Sequence, residues 1–245
     1  MTERLAHILE RIDSCHLAKL WSFYRPFFSK DDLCLAFLYE VFSNEPIRNP
    51  ASFHTTETTD MDNTGTLADD SVFIPRRMVN TVERLVSAAR DMDQIRRGKD
   101  IFKIVYLVTC VETLQKLKGS SEQKKGMLFN FFMCYTAEDD KRYVADHFVH
   151  NDEETKKGEN SFEQFVGVLN EYRNCATHEG EYWNFCFMNS EDEYPRILSL
   201  NIDLEGYTPK NKKKHYFLSS LSYKDFEAVF IRTCIRFIEE YCKKK

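Results

Sequence analysis

Ser161-Phe162-Glu163-Gln164-Phe165-Val166-Gly167-Val168-Leu169-Asn170-Glu171-Tyr172-Arg173-Asn174-Cys175-Ala176-Thr177-His178-Glu179-Gly180 is the stretch that decides the fold. Phe162, Phe165, Val166, Val168, Leu169 and Tyr172 recur at helical steps and give one apolar side, so the spacing predicts a helix over 161–178, ended by Gly180. The period then changes. Tyr182 to Phe187, Arg196 to Ile202 and His215 to Leu218 read as three strands joined by turn-rich or lysine-rich loops. Helical spacing returns at Tyr223 to Cys242, where Phe226, Val229, Phe230, Thr233, Phe237 and Tyr241 share a side. The fold class that follows is mainly α: a helical bundle with a small antiparallel β insertion, residues 181–220, before the C-terminal helix.

Upstream of that stretch the helical period dominates. Glu3 to Phe28 places Leu5, Ile8, Leu9, Ile12, Leu17 and Leu20 on an amphipathic face and breaks near Pro26. Asp31 to Phe42 forms a second helix, with Ser29 as its N-cap. Residues 1–43 thus make an N-terminal helical extension to a single domain spanning 1–245. Residues 44–72 form a polar loop with too few apolar groups between Thr55 and Asp70 to offset the entropy of ordering, so it is expected to be mobile. Helices resume near Pro75, with Met78, Val82, Leu85, Val86 and Ala89 on one face. Asp100 to Lys118 is apolar round most of its circumference. Ser121 opens another helix to about Tyr135, and Glu138 to Glu159 reads as a short helix within a charged surface loop.

Composition bounds the function. Gly and Pro number only 8 and 6 in 245 residues, which disfavours a turn-dense all-β fold. The most apolar stretch, Ile101 to Leu117, is interrupted by Lys103, Glu112, Gln115 and Lys116, so no membrane span is expected. The N-terminus is charged from the start and lacks a secretory apolar core. A cytoplasmic, reducing setting follows, in which Cys34, Cys110, Cys134 and Cys234 are reduced core thiols. The net charge of −5 excludes a nucleic-acid grip over the whole surface and restricts any such contact to a local patch.

Arg173-Asn174-Cys175-Ala176-Thr177-His178 resembles the signature of HEPN domains: an arginine with a polar follower, then a histidine after four to six intervening residues. The resemblance implies an all-helical, commonly dimeric fold and RNA cleavage without metal or other cofactor. It also implies that the Arg and His of two protomers meet across a dimer interface, and that the chain is a toxin or anti-phage effector with an antitoxin or regulatory partner. The spacing occurs four times, at Arg11/His16, Arg48/His54, Arg142/His147 and Arg173/His178. Ile12 follows Arg11, Pro50 stops any helix after Arg48, and Tyr143 follows Arg142 in an acid-rich segment. Arg173 alone combines the polar follower, an amphipathic helix upstream and a terminating glycine.

The residue types suit the chemistry. Metal-free cleavage uses the RNA 2′-hydroxyl as nucleophile and needs a base, an acid and positive charge at the phosphorane. His178 offers an imidazole for either proton role, Arg173 offers a fork of permanently charged donors, and Asn174 orients the imidazole or a phosphate oxygen. On a straight helix, residues five apart point about 140° away from each other. A working site therefore requires a distorted helix end or a two-fold partner. The competing structural reading makes Arg173 and Glu171 a helix-end ion pair.

Lys210, Lys212, Lys213 and Lys214, leading into Tyr216, form a basic loop beside aromatics that suits an RNA backbone, although such runs are more often solvated hairpin loops. His147 and His150 with Asp146 and Asp152 have metal-like spacing but no completing ligand, and read as a surface turn. A non-catalytic HEPN-like nucleotide- or RNA-binding or dimerising scaffold is the alternative function. An unrelated helical interaction protein is the third.

Overall fold

The computed structural model describes residues 2–45, 47, 70–95, 100–150, 161–180, 185–189, 192, 194–202 and 213–244. Among these, the helices are α1 (Thr2–Leu9), α2 (Ser14–Tyr24), α3 (Asp31–Phe42), α4 (Ile74–Ile95), α5 (Asp100–Leu117), α6 (Lys124–Tyr135), α7 (Glu138–His147), α8 (Ser161–Asn174) and α9 (Tyr223–Lys243). The strands are β1 (Phe148–His150), β2 (Arg196–Ile202) and β3 (Lys213–Ser219). They form one antiparallel sheet in the order β1-β3-β2. The protein is mainly α with a small antiparallel sheet, as the two sequence periods require. No described helix is long and apolar enough to cross a membrane. The polar segment expected to be mobile lies almost wholly outside the described residues.

The chain divides into two compact units, residues 1–80 with 238–245, and residues 81–237. In the first, α1 and α3 pack together and bury Ile8, Ile12, Leu38, Val41 and Phe42. The first helix ends earlier than Pro26. Residues 10–13 turn, and the Asp13 carboxylate caps α2 by accepting from the His16 amide at 2.7 Å. Arg11 fills the gap, donating to the His7 carbonyl at 2.7 Å and the Glu45 carbonyl at 3.0 Å. Ser29 is not the cap of α3. Lys30 occupies that place without a side-chain bond, and Asp31 and Asp32 in the first turn offset the helix dipole instead. The Tyr24 hydroxyl donates to the Val79 carbonyl at 2.9 Å.

The second unit is built on an aromatic core. Phe131, Phe132, Phe165, Phe226 and Phe230 are each no more than 1% exposed, with ring centroids of neighbouring pairs 5.1–6.3 Å apart. Each ring so buried contributes about 1.5–3 kcal/mol. All six apolar residues expected on one side of α8 are buried. Of the four cysteines expected in the core, Cys34, Cys110 and Cys234 are buried, but Cys134 is exposed. Its position on α6 turns it away from the face that carries Phe131 and Phe132.

One expected strand is not seen among its described residues. Phe185 to Phe187, the described part of 182–187, is not strand, and only Met188 makes an isolated bridge, to Ser222. The Phe187 amide donates to the Asp100 carboxylate at 2.8 Å and so is taken from any ladder. Phe185 and Phe187 both turn into the core, against Tyr172 and Phe226. The third strand comes instead from β1, directly after α7, in a segment read as a helix and loop.

Candidate functional site

The motif sits where α8 stops being an α-helix. Cys175–Glu179 is a π-turn, and Gly180 closes it in the left-handed region at φ 69°, its amide donating to the Cys175 carbonyl five residues back. The Thr177 hydroxyl contributes to the widening, donating to the Arg173 carbonyl at 2.9 Å. Such bonds compete with the regular ladder and bend helices. Where bonds run between residues five apart, those residues come near one another on the helix surface. The helix end that carries His178 is thus distorted.

Arg173 is buried, 8% exposed, and faces α5. Its Nη1 donates to Asn174 Oδ1 at 2.8 Å and its Nη2 to the carboxylate of Glu112 on α5, itself largely buried. Glu112 rather than Glu171 is the ion-pair partner; the Glu171 carboxylate accepts instead from the Asn170 amide. Burial pushes the Arg173 guanidinium below its usual value, yet an arginine remains charged at working pH. The bond from Arg173 fixes the Asn174 amide, because only its oxygen can accept, and leaves the NH₂ end turned away from the guanidinium. His178 lies within the π-turn and is exposed, and no hydrogen bond joins it to Arg173 among the described residues. The structure therefore brings Arg173 and Asn174 together and holds His178 apart, on the solvent side.

Tyr172, next to Arg173, is fully buried and its hydroxyl donates to the Ser199 carbonyl of β2 at 3.4 Å. Burial drives that phenol well above its ordinary value. The motif helix is in this way pinned to α5 on one side and to the sheet on the other.

Glu112 was the residue missed as part of the site. Its signal was present: it interrupts the apolar stretch Ile101 to Leu117, as do Lys103 and Gln115, and both of those are buried with partners. A charged residue inside an apolar helix announces a buried partner, but nothing local names Arg173, 61 residues away.

The remaining expected site residues separate. Lys214 is exposed on β3 with its ammonium 5.2 Å from the Tyr216 ring centroid, and Lys213 opens the same strand. Lys210 and Lys212 lie outside the described residues. His147 bonds the Tyr143 carbonyl through Nδ1 at 2.8 Å, whereas His150 Nε2 meets His215 Nδ1 at 3.0 Å. Asp152 lies outside the described residues. Among the described residues no group of three or more His, Cys, Asp or Glu is placed to hold a metal ion. No protein-family model, curated protein or solved structure matches the chain, so the site rests on its own geometry.

Proposed function

We propose that the protein is a metal-independent endoribonuclease of HEPN type, working as a two-fold homodimer with Arg173, Asn174 and His178 at its centre. The observation that carries this reading is the π-turn. It places an exposed imidazole one widened turn beyond an arginine whose orientation is fixed by Glu112 and Asn174. Among the described residues two N–H groups of the guanidinium bond Glu112 and Asn174, and in this reading its other donors meet a phosphate oxygen. The 2′-hydroxyl gives its proton to one His178 imidazole and its oxygen attacks phosphorus. The bond to the 5′-oxygen then breaks as the second copy's His178, starting protonated, supplies that oxygen with a proton. The products are a 2′,3′-cyclic phosphate and a 5′-hydroxyl. A dimer also brings two guanidinium groups into one groove, local positive charge that the acidic chain otherwise lacks. A toxin or defence effector held by an antitoxin is the setting that suits such an activity.

Incubating purified protein with mixed RNAs in EDTA tests the reading. Cleavage that leaves cyclic phosphate ends and disappears in His178→Ala supports it; activity that vanishes in chelator and returns with magnesium refutes it. Sedimentation at micromolar concentration should report about twice the chain mass.

The burial of Arg173 against Glu112 favours one second reading. In that reading the pair is a structural clasp between α5 and α8, and the chain is a non-catalytic scaffold that binds RNA or nucleotide or dimerises. Intact binding with no cleavage by the wild type would select it.

A further inference from the structure

The three strands are basic and carry aromatic rings, and of their basic side chains the register puts Lys214 on the face opposite the core. They contain Arg196, Lys213, Lys214, His150 and His215 and not one Asp or Glu, although the chain carries a net charge of −5. Their two faces differ. Phe148, Leu198, Leu200 and Phe217 are buried and face the core. The register aligns Val149, Leu218 and Ile197 in one row across the opposite face, and Ser199 with Tyr216 in the next. Lys214 lies two residues before Tyr216, on the same side. Ile197 is 71% exposed, Tyr216 42% and Val149 40%, so this face is open.

We infer that the outer face of the sheet is a binding platform for single-stranded RNA, with Tyr216 stacking a base, Lys214 meeting the adjoining phosphate and Ile197 supporting the stacked base. Charge complementarity selects this occupant. A face whose charged side chain is an exposed lysine, beside an exposed ring, fits a chain of phosphates and bases, and base–aromatic stacking tolerates any sequence. The lysine ammonium beside the Tyr216 ring keeps positive charge at the place where a base would stack.

The platform is mechanically tied to the motif. Tyr216 pairs directly with Ser199, and the Ser199 carbonyl accepts from Tyr172, the neighbour of Arg173. RNA held on the sheet is thereby fixed in place relative to α8. The inference rests on the ribonuclease reading for its biological sense, but its test does not.

The test measures binding of fluorescein-labelled U12 and A12 RNA by anisotropy in EDTA, with full-length His178→Ala protein as the parent so that nothing is cut. Adding Tyr216→Ala should weaken binding on the order of tenfold or more, while Tyr216→Trp keeps it, since a stacking ring remains. Adding Lys214→Gln should weaken binding and lower the salt slope by about one ion. Tyr216 and Lys214 are exposed, and unchanged melting of the variants separates a lost contact from a lost fold. Equal affinity of Tyr216→Ala and parent overturns the platform, whether or not the wild type cuts RNA. A change in sedimentation mass with unchanged RNA affinity also overturns it, making the face a protein interface. Tyr216-dependent binding by a wild type that cuts nothing upholds the platform and removes the ribonuclease.

Discussion

The two ends of α5 carry two charge clusters with different arrangements. At the N-terminal end, the Lys103 ammonium lies 2.7 Å from Asp93 and 2.9 Å from Asp100, and 4.3 Å from the Tyr223 ring centroid. Asp100 also accepts from the Phe187 amide, and nearby Glu227 takes a two-pronged bond from Arg90 at 2.7–3.0 Å. Every charge there closes on another group of the protein. At the other end, Glu112 holds Arg173, which holds Asn174, and the chain then enters a π-turn that carries the exposed His178. In the first cluster each charge is paired with another, and the pairs link α4, α5 and α9. The second leads outward to solvent. That contrast underlies the proposal of a structural role for the first cluster and a substrate site at the second.

The sharpest test compares the open end with the closed one by activity. His178→Ala should lower RNA cleavage by about 10²–10⁴-fold, with little change in melting, because the side chain is exposed. Lys103→Met should leave cleavage per folded molecule unchanged. If Lys103→Met abolishes cleavage in folded protein, the comparison breaks.

Stability should respond at both ends alike. Arg173→Ala strands the Glu112 carboxylate and should cost about 3–5 kcal/mol in denaturant unfolding, as should Lys103→Met through Asp100. Replacing both members of the outer pair, Arg173→Met with Glu112→Leu, should recover most of that stability and none of the activity. Recovery of both would reduce Arg173 to a clasp.

A smaller effect distinguishes Tyr172 from Tyr223. Tyr172→Phe should cost about 1 kcal/mol for its bond to Ser199. The Tyr223 hydroxyl is buried beside Glu227 without a well-formed hydrogen bond, so Tyr223→Phe should be neutral or slightly stabilising. Burial raises both phenols, which means that the folded state holds their protons more tightly than the unfolded state does. Their contribution is complete below the ordinary tyrosine value of about 10 and drains as pH rises above it. Tyrosinate absorbance should therefore show both ionising only as the chain unfolds. Ionisation of Tyr172 in folded protein would show that the motif helix is looser than its packing implies.

Local chemistry carried much of this molecule. The helical spacing of Phe162 to Tyr172 predicts α8 and its buried face, and the apolar spacing of Tyr223 to Cys242 does the same for α9. Gly180, required where the backbone turns left-handed, marked the end of the motif helix. Helix breaks were less legible, because Asp13 caps as well as any residue of its type but announces itself only once the turn before it exists. The described part of the strand expected at 182–187, residues 185–187, is not strand for a similar reason. Its composition suits β structure, but a carboxylate from α5 takes the Phe187 amide.

The sequence by itself determined the helical class, the presence of a small sheet, and the candidate trio Arg173, Asn174 and His178, because periodicity and motif spacing are properties of neighbouring residues. Only the tertiary structure decided which strands build the sheet, that Arg173 is buried against Glu112, and that His178 is left in solvent. Those depend on which side chains meet across long separations, and a buried charge is stable only where a specific partner is brought to it.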